Sequence, residues 1–173
     1  MATATAGKTE EMLIDWLRDA HAMEKHAEQV LSTTASRIEN YPELKTQLER
    51  HAQQTRRQAD LIRECLDRHD GGTSTMKDTA GRVMGFAQAM SGMFVGDEII
   101  KASMGSYVFE QMEIAAYKTL IAAAEECDDQ QTKRVCETIL HEEEAMAQWL
   151  DERLPGITRK YFARIEQDVT AKH

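Results

Sequence analysis

Four residues of types that ligate metal ions, Glu24, His51, Glu110 and Glu143, each fall among apolar neighbours at helical spacing. Glu24 sits in the stripe Leu13, Leu17, Ala20, Glu24, Ala27, Leu31, which a 3.6-residue period points into a core. His51 lies in the stripe Leu44, Leu48, His51, Thr55, Ile62, Leu66, with Gln58 on its margin. Ile100, Tyr107, Glu110, Ile114, Tyr117 and Ile121 share a third face, and Glu113 follows Glu110 by one turn, toward the edge of that face. A fourth arc, Val135, Ile139, Leu140, Met146, Leu150 and Leu154, has Glu143 near its centre, Glu142 at its edge, and His141 and Glu144 pointing away. Carboxylates and an imidazole aimed inward from four helices are the donor set with which helical bundles hold metal.

The energetics give this weight. Burying an unpaired carboxylate costs several kcal/mol, whereas a whole domain is stable by only about 5–15 kcal/mol, so three inward carboxylates require compensation. Arg18, Lys25, Arg50, Lys118 and Arg134 all map outward or to margins, which leaves bound cations, shared protons or water. A divalent metal is the strongest of these. Hard oxygen donors suit Fe, Mn, Mg or Ca rather than thiolate-loving metals, and the residues alone do not choose among them. His21 and Glu28 flank Glu24 on its face, where ordinary interface hydrogen bonding is the alternative to coordination. The phenols of Tyr107 and Tyr117 are spaced to donate hydrogen bonds to a ligating carboxylate. The methionines, including Met84, Met90, Met93, Met104 and Met112, read as core filler rather than as copper ligands.

The elements that must position these residues are helical throughout. The chain has 173 residues, enough for one domain with a substantial core, and only 2 Pro and 9 Gly interrupt its helix-forming usage. The expectation is an all-α single domain over 1–173 with long helices at about 10–38, 43–69, 97–126 and 129–154, and short ones at about 76–92 and 157–168. Thr9 before Glu10 and Glu11 is spaced as an N-cap, Pro42 suits a first turn, and Gly71 with Gly72 ends the second helix. Thr75 and Asp78 are spaced as a capping box, Asp128 and Asp129 mark a turn and N-cap, and Pro155 with Gly156 ends the last long helix. Two helical hairpins joined by a crossover with a short extra helix describe a four-helix bundle.

A formal net charge of −9 disfavours nucleic acid or anionic lipid as a partner. No stretch approaches the roughly 18 apolar residues of a membrane span, and the N-terminus has no signal-peptide core, so the expected location is the cytoplasm. Cys65, Cys127 and Cys136 form no CxxC pair and read as reduced thiols. His26, His69 and His173 read as exposed.

Through LIDWLRDAHAMEKH (13–26), YPELKTQLERHAQQTRRQ (41–58), GDEIIKASMGSYVFEQMEIAAYKTLIAAAE (96–125) and LHEEEAMAQWL (140–150), the chain resembles the YciE/YciF-like stress proteins of the ferritin-like superfamily. The resemblance implies a ferritin-like bundle with a di-metal carboxylate centre of iron or manganese, two ions per chain, a homodimer and a role in bacterial stress responses. It supplies no established reaction. It carries the metal-ligand role onto Glu24, Glu110, Glu113 and Glu143, while Met146 stands where a ferritin-like Glu-x-x-His would place histidine, and the second helix offers His51, Thr55 and Gln58 instead of that motif. With iron or manganese the implied chemistry is ferrous oxidation, or consumption of a small oxidant such as peroxide or oxygen. The competing reading is a non-catalytic structural or partner-binding bundle with a degenerate site, in keeping with the missing histidines and the amphipathic segment Ile157, Tyr161, Phe162, Ile165.

Overall fold

The computed structural model describes residues 2–69 and 98–167, which form four helices, α1 (Ala2–Arg37), α2 (Pro42–His69), α3 (Glu98–Glu126) and α4 (Gln130–Glu166). Pro42 opens α2, where its missing N–H does no harm because first-turn N–H groups have no intrahelical acceptor. Two aspartates build the α3–α4 turn. Asp128 adopts the left-handed conformation (φ 55°), and the N–H groups of Asp128 and Asp129 donate to the carbonyls of Glu125 and Ala124 at 3.1 and 2.9 Å, which closes the end of α3. Asp129 then caps α4, accepting from the backbone N–H of Gln131 and Thr132 at 3.2 and 3.0 Å.

The close pairs are α1 with α2 and α3 with α4, and the two hairpins join with α1 beside α3 and α2 beside α4. Leu120 and Ala124 share an apolar cluster with Leu13 and Leu17, whereas Ile99 packs with Leu31 and Ala35, so α1 and α3 run antiparallel. In the other pair Arg68 donates to Thr132 (2.9 Å) at one end and Arg153 to Glu43 (2.9 Å) at the other. As a result α2 ends and α3 begins at opposite ends of the bundle. The expected short helix at 76–92, the Gly71–Gly72 stop, the Thr75–Asp78 cap, Met84, Met90, Met93 and His173 lie outside the described residues.

The apolar core is divided in two. One cluster is built on Leu13, Leu17, Ile62, Leu66, Leu120 and Ile139, the other on Leu31, Leu44, Leu48, Ile99, Leu150 and Ile157. Burying each such side chain contributes roughly 1.5–3 kcal/mol, which lets the bundle carry a polar layer between them.

Three local expectations differ from the structure. The helix passes through Thr9 back to Ala2, since Ala2, Ala4 and Ala6 favour helix and no proline stops it. It also passes through Pro155, so the separate C-terminal helix is instead the last part of α4. A proline inside a helix costs about 3 kcal/mol. Beyond it, Ile157 is buried, Tyr161 packs on the second cluster, and Lys160 both donates to the Asn40 carbonyl (2.6 Å) and covers the Tyr41 ring, all of which hold the helix on course. His69, read as exposed, has a side chain only 13% exposed, because the end of α2 meets the start of α4. Its ring lies 2.9 Å from Asp129 and 3.3 Å from Glu10.

Candidate metal centre

Between the two apolar clusters, one ligand atom each from His51 on α2, Glu110 and Glu113 on α3, and Glu143 on α4 lie within 4.8 Å of one another, and all four side chains are buried. Ligand atoms around a common ion at about 2.0–2.3 Å stand at most about 4.6 Å apart, so the set fits one cation with a small side-chain adjustment. His51 Nε2 approaches Glu110 Oε2 at 3.1 Å and Glu143 Oε2 at 3.4 Å. Both contacts become ion pairs when the ring is protonated. Glu24 Oε2, both His51 nitrogens, Gln58 Oε1, Glu110 Oε2, Glu113 Oε1 and Glu143 Oε2 are buried with no hydrogen-bond partner among the described residues. Native interiors leave very few polar atoms unsatisfied, and here seven belong to one layer.

The supporting donors follow a pattern. Tyr117 donates its O–H to Glu24 Oε1, and Gln58 donates an N–H to Glu143 Oε1 at 2.6 Å. In both cases one carboxylate oxygen is fixed from behind and the other is left free. That is how outer hydrogen bonds orient metal-binding carboxylates.

No lysine or arginine pairs with Glu24, Glu110, Glu113 or Glu143 among the ion pairs of the described residues. Burial dominates the electrostatics of Glu24, Glu110 and Glu113. It pushes Glu110 up to about 7 against the opposing pull of His51. Burial, then the charge of Glu143, holds Glu24 well above the usual carboxylate range, and burial followed by the charge of Glu24 does the same to Glu113. For His51 burial works against the charged ring, but the flanking carboxylates Glu110 and Glu143 outweigh it and raise its pKa well above the ordinary value. The layer thus binds protons tightly, and a divalent cation is the stronger substitute for them.

The structure brings together His51, Glu110, Glu113 and Glu143, and sets Glu24 beside them in the same layer but outside that four-atom set. Glu113, read toward the edge of its face, is as deeply buried as Glu110. The inner face of α3 runs through Ile99, Ser103, Glu110, Glu113, Tyr117, Leu120 and Ala124, about one residue round from the face read in the sequence. Gln58, read as marginal, is fully buried and touches the site. Its helical spacing from His51 and Thr55 was the available signal. Glu28 does not join the layer, because Lys25 (2.5 Å) and Arg56 (2.6 Å) neutralise it at the α1–α2 margin. His21 is half-buried, and burial lowers its pKa. Tyr107 packs into the second apolar cluster rather than onto a carboxylate. The Met146 sulfur, where a histidine was sought, accepts from Gln47 Nε2 at 3.3 Å.

The sequence matches the domain of unknown function DUF892 over residues 8–163. The chain belongs to the DUF892 family. Among solved structures, this DUF892 chain is similar to a protein from Xanthomonas campestris pv. campestris at 37% identity and a TM-score of 0.78, covering 92% of this chain and 99% of that one. It is similar also to the Escherichia coli stress protein YciF (19% identity, TM-score 0.76, 88% of this chain and 98% of that one). A third likeness is to YcfI of Rhodopseudomonas palustris, provisionally described as a structural protein (24%, TM-score 0.71, 83% and 92%). The last two share the helical-bundle fold, in keeping with the YciF-like resemblance of the sequence.

Proposed function

We propose that this DUF892 protein is a metal-carboxylate protein whose buried layer holds divalent cations, iron or manganese, with two ions per chain. The observation that carries the reading is the convergence of an imidazole and three carboxylates within 4.8 Å, with no lysine or arginine paired to the carboxylates among the described residues. His51, Glu110, Glu113 and Glu143 are the residues that would hold the first ion, and Glu24 would serve the second. Iron or manganese there would supply one-electron redox chemistry toward a small oxidant such as peroxide or oxygen. Tyr117 and Gln58 keep the free carboxylate oxygens aimed inward, and the apolar clusters on both sides exclude water. The stress-protein description of YciF supports a role in the stress response. The exposed apolar residues Met12, Trp16 and Val30 on α1 and Met104 and Val108 on α3 support a homodimer. Among the described residues no helix is long and apolar enough to cross a membrane.

Elemental analysis of protein purified without chelators, after growth with added iron and manganese, tests the metal reading. Stoichiometric iron or manganese is expected, and metal-free protein would count against it.

A second reading, a non-catalytic bundle whose layer is neutralised by protons alone, draws on Met146 in the place of a histidine and on the raised pKa of Glu110. Melting curves with and without Mn²⁺ separate the two. A metal-dependent rise in the wild type that disappears in Glu110→Ala supports the working site, and no rise in either supports the structural bundle.

A further inference from the structure

A continuous polar chain runs from solvent to the buried layer along the α2–α4 seam. Arg57, with 57% of its side chain exposed, pairs with Glu142, whose side chain is 21% exposed. Glu142 accepts from Gln58 Nε2 at 2.9 Å, and the same nitrogen donates to Glu143 at 2.6 Å. An amide NH₂ has two hydrogens, and here each serves one carboxylate. The Gln58 Oε1 atom is buried without a hydrogen-bond partner among the described residues. Two other margins of the layer are closed differently. Glu28 is held by Lys25 and Arg56, and the α1–α3 side is closed by Tyr117 on Glu24.

We propose that this seam is the path by which a divalent cation reaches the layer, with Glu142 as the outer carboxylate that receives it and Gln58 as a turning amide that passes it to Glu143. The inference rests on the metal reading above. The amide NH₂ sits between two carboxylates, where a cation would be at home. The terminal torsion of glutamine is broad, so a half-turn can exchange the NH₂ for Oε1 once an incoming cation replaces the two amide hydrogen bonds that the turn breaks. After the turn, Glu142, Glu143 and Gln58 present three hard oxygens to an incoming ion, the ligand type that such cations prefer. At the mouth the ion replaces the Arg57 guanidinium on Glu142, one cation for another, and Arg57 is free to swing into solvent. Passage inward to His51, Glu110 and Glu113 then lets Gln58 turn back and close the path.

The test is stopped-flow loading of metal-free protein with Co²⁺, whose visible absorption reports both the rate and the final occupancy. Glu142→Gln is expected to load about tenfold more slowly, and Arg57→Ala a few-fold faster, in line with the effect of local charge on association rates. Final occupancy stays that of the wild type in both. The opposite signs of two substitutions at the mouth are not what simple loss of fold would produce. Wild-type loading rates in both variants, or a loss of occupancy parallel to the loss of rate, would overturn the path and leave the site standing. A wild-type protein that takes up no Co²⁺ at equilibrium would overturn the metal reading beneath it.

Discussion

Tyr117 on α3 donates its phenolic O–H to Glu24 on α1, both side chains fully buried. This bond joins the two hairpins at the level of the polar layer, and through it the Glu24 carboxyl accepts its hydrogen bond among the described residues. Tyr117→Phe keeps the ring and strands that oxygen. An unsatisfied buried acceptor costs about 1–3 kcal/mol, so the metal-free variant is expected to unfold at lower urea by that amount. An unchanged midpoint would mean that Glu24 finds another donor.

The protons held by the layer set a pH dependence. Glu110 has a folded pKa of about 7 against an ordinary 4.5, so between those values the folded chain keeps a proton that the unfolded chain has released. Its contribution to stability is present at low pH and lost as pH rises through 7. His51, also raised, contributes with the same sign, with its loss falling above the ordinary 6.5. Asp129 acts in a different window. Despite burial, the hydrogen bonds from Thr132 help hold it down to about 2, so its contribution is lost only as pH falls below 3.8. Metal-free protein is therefore expected to have a lower urea midpoint at about pH 8 than at about pH 5, with the stabilisation by Mn²⁺ growing over the same interval as ligands lose protons. Equal midpoints in metal-free protein would contradict the raised values.

Asp129 both closes the α3–α4 turn and caps α4. Asp129→Ala leaves the Gln131 and Thr132 N–H groups without their acceptor and removes a partner of His69. A loss of about 1 kcal/mol in chemical denaturation is expected. A neutral substitution would mean that water caps the helix as well.

Pro155 interrupts the hydrogen-bond ladder of α4 just before a stretch anchored by Ile157, Lys160 and Tyr161. Pro155→Ala restores the N–H but loosens the unfolded chain, which offsets part of the gain. The net expectation is a stabilisation of about 1–2 kcal/mol in urea unfolding, within the roughly 3 kcal/mol that an interior proline costs. Destabilisation would show that α4 depends on a bend at that point.

The sequence made some of this legible and hid the rest for identifiable reasons. Glu24, His51 and Glu143 stand out because α1, α2 and α4 are amphipathic, so an inward polar residue contrasts with its stripe. On α3, apolar residues cover much of the circumference, and a strict 100° step placed Glu113 at an edge. The inner positions follow alternating four- and three-residue steps, as in packed bundles, which brings Glu113 and Tyr117 inward together. The Gln58–Glu142–Arg57 chain depends on the register between α2 and α4, which no single helix encodes. The same holds for His69, whose partners lie on α1 and at the cap of α4. Pro155 gave a correct local signal that long-range packing overrode.

The most direct test of the central claim is an anomalous-difference map from a crystal of the protein grown with Mn²⁺. Density is expected in the layer between the two apolar clusters, bounded by His51 Nε2 and carboxylate oxygens of Glu110, Glu113 and Glu143. A map without a peak there, with those carboxyl groups hydrogen-bonded to one another instead, would contradict it.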